Sequence, residues 1–216
     1  MSKAHPLATK NRPRQTRSQE TFELIVETAG RLLDEVGFDQ LTTNLVCERA
    51  GLAPTALYRY FPNKYALLKE LGDRVMRLQD ETAYRWLEAG GATGRTRAER
   101  ISSLLALQLE TLAVTRNFPG NTAIMRALRA VPLLRDERTA SRRRVAERLS
   151  IALGRLFPSV PPEALRIQTK LSVELMYAAM ELVLEEGGPD ADLLNEAACR
   201  TFVVAFEELE TAHARP

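Results

Sequence analysis

Hydroxyl, amide and guanidinium groups gather in one short stretch of the chain: Thr42, Thr43 and Asn44, then Thr55, Tyr58, Arg59 and Tyr60, and finally Lys64. These groups suit hydrogen bonding to nucleic acid. Threonine and tyrosine hydroxyls donate to phosphate oxygens, Arg59 pairs with phosphate or guanine, Asn44 offers adenine a bidentate contact, and Lys64 anchors a backbone phosphate. Catalytic chemistry finds no comparable cluster. With two His and two Cys in the chain, there is no His-centred triad and no zinc-ligand spacing, and neither a phosphate loop nor a Gly-rich nucleotide fingerprint is present. The expectation is therefore no catalytic residue, no metal and no cofactor. Cys47 and Cys199 each fall within a helical apolar pattern and read as small buried hydrophobes.

Such groups reach DNA only if short helices hold them outward. The apolar stripe Ile25, Ala29, Leu32, Leu33 and Val36 predicts a first helix from about 17 or 18 to 36, closed by Gly37. Phe38 and Leu41 turn the chain back. Thr42 is a natural N-cap for a second, short helix that carries Leu45, Val46 and Ala50 inward and stops at Gly51. A third helix of barely two turns starts at Pro54, where a first-turn proline is tolerated, and ends at Pro62. Leu57 and Phe61, four residues apart, share its buried face, so several of Thr55, Ala56, Tyr58, Arg59 and Tyr60 must face outward. Two short helices joined by a turn containing Gly51 make a helix-turn-helix over about 42–61, and a major groove about 12 Å wide admits the second of them.

The segment LTTNLVCERAGLAPTALYRYFPNKYALL resembles the DNA-binding segment of TetR-family transcriptional regulators, over roughly residues 17–70. The resemblance rests on Gly37-Phe38, Thr42, Ala50-Gly51-Leu52, Leu57-Tyr58-Arg59-Tyr60-Phe61 and Lys64, each at the family's spacing. It implies a three-helix DNA-binding domain, an all-helical regulatory domain, a homodimer built on the last two helices, and control by a small-molecule effector. Carried over residue by residue, the family's DNA contacts fall on Thr42, Thr43, Asn44, Pro54, Thr55, Ala56, Tyr58, Arg59, Tyr60 and Lys64. Two departures stand out. Ala53 replaces a frequent serine cap, a loss of about 0.5 to 2 kcal/mol, and Thr55 replaces a frequent glycine, adding a hydroxyl near the bases.

Downstream, helices are expected from Asn63 to about Leu87 and at about 97–116, 120–130, 133–156, 162–186 and 190–210, separated by glycine and proline. Gly187, Gly188 and Pro189 allow the last two to pack as an antiparallel hairpin. On these, Leu175, Ala179 and Leu182, with Leu194, Ala198, Phe202 and Ala205, are the candidate dimer interface. Trp86, Leu104, Leu107, Phe118, Met125, Leu128 and Tyr177 are candidates for the wall of an effector cavity. Arg142, Arg143 and Arg144 read as a solvated basic face.

Composition bounds the rest. Hydrophobic residues at 45%, charged residues at 27% and a mean hydropathy of −0.22 suit a globular chain of one large or two small domains. The most apolar stretch, 171–184, is interrupted by Glu174 and Glu181 and falls short of the roughly 18 apolar residues of a membrane span. The opening MSKAHPLATKNRPRQTR lacks an apolar signal core, which points to the cytoplasm with no membrane partner. The net charge of +2 comes wholly from residues 1–65, where Lys3, Lys10, Arg12, Arg14 and Arg17 precede the first acid, Glu20. That basic arm is either a phosphate-following strand or a solubilising tail. The expected organisation is thus all-α: a flexible arm (1–16), a helix-turn-helix domain (17–65), and a helical ligand-binding and dimerisation domain (66–216). Its expected function is a repressor that binds a double-stranded operator as a homodimer. An activator of the same fold and a helical protein-interaction module are the alternatives.

Overall fold

The structure, a computed structural model, describes residues 6–13 and 15–214; Lys3 and Arg14 of the basic arm lie outside the described residues. In chain order the helices are α1 (Thr16–Gln40), α2 (Thr43–Ala50), α3 (Pro54–Tyr58), α4 (Lys64–Glu88), α5 (Arg97–Arg116), α6 (Asn121–Ala130), α7 (Arg135–Leu156), α8 (Pro162–Glu186) and α9 (Ala191–His213). A 3-10 turn at Pro132–Leu134 leads into α7. Among the described residues no strand forms, and no helix is long and apolar enough to cross a membrane.

Local backbone chemistry sets the boundaries near the N-terminus. Gly37, at φ 72°, breaks the last turn of α1, and Leu41 leaves it in extended backbone. Thr42 caps α2 by accepting from the Leu45 amide at 3.1 Å. Gly51 ends α2 in the left-handed region, its N–H bonding the Glu48 carbonyl while the Leu52 N–H bonds that of Cys47, the paired closure that a C-terminal glycine permits. Ala53 provides no side-chain cap for α3, and Pro54 occupies its first turn.

Two compact units result, and their boundary differs from a cut near residue 65. The first holds residues up to 76 together with 116–138; the second holds 77–115 and 139 onward. Residues 116–138 join the first unit because α6 packs on α1 across two glycines. A Cβ on Gly120, whose φ is +80°, would stand 2.4 Å from the Gly30 carbonyl oxygen, and one on Gly30 would stand 2.8 Å from the Pro119 oxygen. The Gly120 amide also donates to the Asp34 carboxylate at 2.9 Å. Leu128 then covers Gly72 of α4, where a Cβ would meet its methyl at 2.7 Å. Ile25, Leu32, Leu33, Leu57, Phe61, Leu67, Leu68 and Leu71 complete this core.

In the second unit, α8 and α9 pair as the glycine turn predicts, with Gly187 and Gly188 both at positive φ. Leu104, Val145, Leu149, Val173, Phe202 and Phe206 belong to one core cluster. Ala179, Ala198 and Phe202, expected at a dimer interface, are buried in their own chain, while Leu175, Leu194 and Ala205 are half-buried and Leu182 is exposed. Their helices carry apolar residues on two faces, and the tighter-packed face is the internal one.

Of Arg142–Arg144, expected as a solvated basic face, Arg143 and Arg144 are exposed and Arg142 is buried. Successive residues of a helix point roughly 100° apart, so three in a row span more than the outer face of a packed helix. Arg142 is buried, bonded to Glu174 at 2.5 Å and Glu181 at 2.6 Å, and lies 4.6 Å over the Tyr177 ring. Arg144 reaches the buried Asp80 at 3.3 Å, and Asp80 also accepts from Ser141 at 2.8 Å. Burial raises the Asp80 carboxyl pKa despite these partners.

Gly120→Ala should lower stability by more than about 1 kcal/mol, since the added methyl meets backbone at a positive φ. The check is a drop in the urea midpoint with the slope unchanged. A midpoint equal to wild type would show that α6 does not need this close approach.

Candidate nucleic-acid interface

α3 is held from three sides. Leu57 and Phe61 are fully buried, and Phe22 of α1 stacks on Phe61 at 5.0 Å and meets Tyr60 edge-on at 5.5 Å. Tyr60, expected to face outward, is only 3% exposed and donates its hydroxyl to the Ser18 carbonyl at 3.2 Å. It is a core residue. Being three residues from Leu57 and adjacent to Phe61, it continues their buried face as the chain leaves the helix.

The other predicted residues form a connected outer face. Tyr58 is 41% exposed, and its hydroxyl bonds the Thr43 hydroxyl at 3.0 Å, joining the outer face of α3 to the first residue of α2. Thr42, Asn44, Pro54, Thr55 and Arg59 are exposed and Ala56 is half-buried. The start of α2 adds free backbone N–H groups and the positive end of a helix dipole, both suited to phosphate.

Lys64, expected at a backbone phosphate, is also engaged within the chain. Its ammonium donates to the Phe38 and Asp39 carbonyls at 2.9 and 3.2 Å and lies 4.5 Å over the Phe38 ring. Two of its three N–H bonds thus close the end of α1 against the start of α4, a positioning task.

The described part of the arm is ordered against the same corner. The Lys10 amide bonds the Tyr60 carbonyl at 2.8 Å, its ammonium the Tyr58 carbonyl at 3.3 Å, and the Asn11 amide the Arg59 carbonyl at 2.9 Å. Three successive carbonyls at the end of α3, orphans in any isolated helix, are satisfied by two residues of the arm. Asn63 caps α4 through the Ala66 N–H at 2.9 Å and donates to the Pro6 carbonyl at 3.0 Å, and Arg12 pairs with Glu70 at 3.2 Å. Sequence reading singled out the arm for its charge and missed Asn11 and Ser18, which carry no charge or motif.

Cys47 and Cys199 are buried. Desolvation raises both thiols, Cys199 to about 12 with Glu196 adding to the shift. They pack as neutral side chains.

A second candidate site lies within the second unit. Trp86, Leu104, Leu107 and Tyr177 line a cavity of about 70 Å³. A neighbouring void of about 30 Å³ shares the Trp86 and Leu104 walls. Phe118, Met125 and Leu128 are not on its wall. They lie in the segment 116–138 that joins the first unit, where Met125 and Leu128 are buried. Gln79, Gln108 and Thr111 also line the cavity, and nothing in their spacing marks them beforehand.

Residues 25–71, which include α2 and α3, match the family model described as bacterial regulatory proteins, tetR family. The tetracycline repressor protein class C of Escherichia coli is 43% identical over 54 residues, a quarter of each chain. Nucleoid occlusion factor SlmA of Actinobacillus pleuropneumoniae serotype 5b is 28% identical over 109 residues, covering 50% of this chain and 49% of that protein. The chain thus spans about half the length of that relative or less. A TetR-family transcriptional regulator from Streptomyces coelicolor shares the fold at a TM-score of 0.59 and 27% identity, over 88% of this chain and 99% of that one. The family model places the helix-turn-helix segment in the tetR family of bacterial regulatory proteins, and the fold shared along nearly the full length of a TetR-family regulator supports the same reading for the chain.

Proposed function

We propose that the protein is a sequence-specific DNA-binding repressor that acts as a homodimer and releases its operator when a small molecule occupies the cavity of the second unit. The observation that carries the DNA reading is the hydrogen bond between Thr43 and Tyr58, which makes the start of α2 and the outer face of α3 one polar surface. Leu57 and Phe61 hold that surface outward. Thr55 and Asn44 are the base-reading candidates, and Thr42, Thr43, Tyr58 and Arg59 the phosphate-binding ones. The names of its relatives agree, one of them being a repressor.

Dimerisation rests on an uncovered apolar stripe. Ile167, Leu171 and Leu182 of α8 are exposed, Leu171 to 64%, and Leu193 of α9 is 65% exposed. Ala178 and Ala197 lie beside them, also exposed, and small side chains let a partner helix approach closely. A helix as short as α3 makes few contacts, and two symmetric copies reading half-sites roughly 34 Å apart multiply them. One helix, α4, contributes Leu67, Leu68 and Leu71 to the first core and Ala83, Trp86 and Leu87 to the cavity wall. A ligand that shifts α4 alters the DNA-reading end without touching it, which is the differential contact that allosteric release requires.

Operator binding is measured by electrophoretic mobility shift against a genomic fragment library. Arg59→Ala should weaken binding across sequences and reduce the salt slope by about one, whereas Thr55→Val should change base preference at one position by about 1–3 kcal/mol. Removal of residues 1–13 should weaken binding to every sequence alike, because the α3 carbonyls lose Lys10 and Asn11. A Tyr58→Ala, Arg59→Ala double variant as tight as wild type would remove the DNA reading.

Sedimentation at micromolar concentration should give twice the chain mass of 24.2 kDa. Leu171→Glu with Leu193→Glu should give monomers that keep their helical circular dichroism and lose operator binding. A wild-type monomer that binds tightly would refute the interface.

A further inference from the structure

The cavity of the second unit is walled mainly by hydrocarbon, aromatic ring and thioether, and no Lys, Arg, Asp or Glu is among the described residues lining it. One polar group on its wall is unspent. Gln79 is 1% exposed, its Nε2 donates to Thr115 Oγ1 at 2.9 Å, and its Oε1 has no partner.

Thr115 fixes which end of that amide is which. Its hydroxyl gives its single proton to the Thr111 carbonyl at 2.7 Å, so toward Gln79 it can only accept. The amide nitrogen therefore faces Thr115, and the oxygen is the free end. A buried acceptor left without a donor is costly, and the cost is recovered by whatever supplies the donor.

Three other polar wall groups donate within the chain. The Gln108 amide donates to the Met176 carbonyl at 3.1 Å, the Thr111 hydroxyl to the Leu107 carbonyl at 2.8 Å, and the Trp86 indole to Ser103 Oγ at 3.0 Å. Burial raises the Tyr177 phenol, keeping it neutral. An ionic ligand would be stripped of water with no counter-charge on the wall.

We propose that this cavity takes a small, neutral, mostly apolar ligand bearing one hydrogen-bond donor, given to Gln79 Oε1. The inference deepens the effector reading above and rests on it. Size follows from the walls. A cavity of roughly 150 Å³ holds benzene, so about 70 Å³ admits only the shortest alcohols as it stands. A four-carbon ligand, about as bulky as benzene, needs Trp86 or Phe202 to move and open the adjoining void, whose wall they share.

The probes are 1-butanol and 1-methoxypropane, isomers of equal composition of which only the first has a donor, with butanoate as the charged counterpart. Each is titrated into the full chain and followed by the fluorescence of Trp86, the single tryptophan, and by ligand-detected saturation transfer. Butanol should bind at least about fivefold more tightly than the ether, and butanoate should not bind. In Gln79→Met, which keeps the side-chain length and leaves the bond from Thr115 to Thr111 intact, alcohol and ether should bind equally.

Equal binding of the isomers to wild type, a preference that survives in Gln79→Met, or no binding by any probe would overturn the proposal. Should Gln79→Met fail to fold, the comparison of isomers on wild type decides alone. Operator affinity measured in the same samples separates the two readings. A Gln79-dependent preference for butanol with operator affinity unchanged would remove the effector role and leave the ligand class standing.

Discussion

A helix of five residues cannot hold its own shape in water, since helices shorter than about 12–15 residues are marginal even with favourable sequences. α3, Pro54–Tyr58, is such a helix, and what it presents depends on its anchoring. Leu57 and Phe61 set its rotation by entering the core, Phe22 fills the space beside them, and Lys10 with Asn11 satisfy the carbonyls at its far end. Once that rotation is set, Thr55, Tyr58 and Arg59 have nowhere to point but outward. The helix-turn-helix is therefore a rigid surface assembled from three elements and a stretch of N-terminal arm, in which the helix that reads contributes little to its own stability.

The close approach of Gly30 and Gly120 extends the same logic to α6. Backbone against backbone leaves no room for a side chain, so the packing of α1 on α6 is specified by absence of atoms rather than by a large apolar contact. Asp34 adds direction by accepting from the Gly120 amide. The DNA-reading unit is consequently larger than the three N-terminal helices.

The second unit is organised by buried polarity. Arg142 binds Glu174 and Glu181, tying α7 to α8, while Asp80 on α4 is held by Ser141 and Arg144 on α7. Such pairs lose hydration on burial and recover it only with good geometry, so removing one partner strands the other. They constrain which helices meet and in what register. The oxygen of Gln79 is one of several buried polar atoms without a partner, together with Thr169 Oγ1 and Asn195 Nδ2 of the same unit, and of these three residues Gln79 is the one that lines the cavity.

Sequence by itself determined the local events: the break at Gly37, the Thr42 cap, the left-handed stop at Gly51, the proline start of α3, and the glycine turn between α8 and α9. Each depends on the backbone preferences of one or two residues, which travel with the chain wherever it folds. The outward face was partly legible for the same reason, because the four-residue spacing of Leu57 and Phe61 defines its opposite side. Tertiary structure decided the rest. It made Tyr60 core and Tyr58 surface, drew Lys64 onto the end of α1, moved Met125 and Leu128 from the expected cavity into the first unit, and buried Ala179, Ala198, Phe202 and Arg142 within the chain. A tyrosine, an arginine or a wide apolar stripe is compatible with several surroundings, and its choice among them is settled by neighbours distant in sequence, whose packing and hydrogen bonds no local pattern encodes.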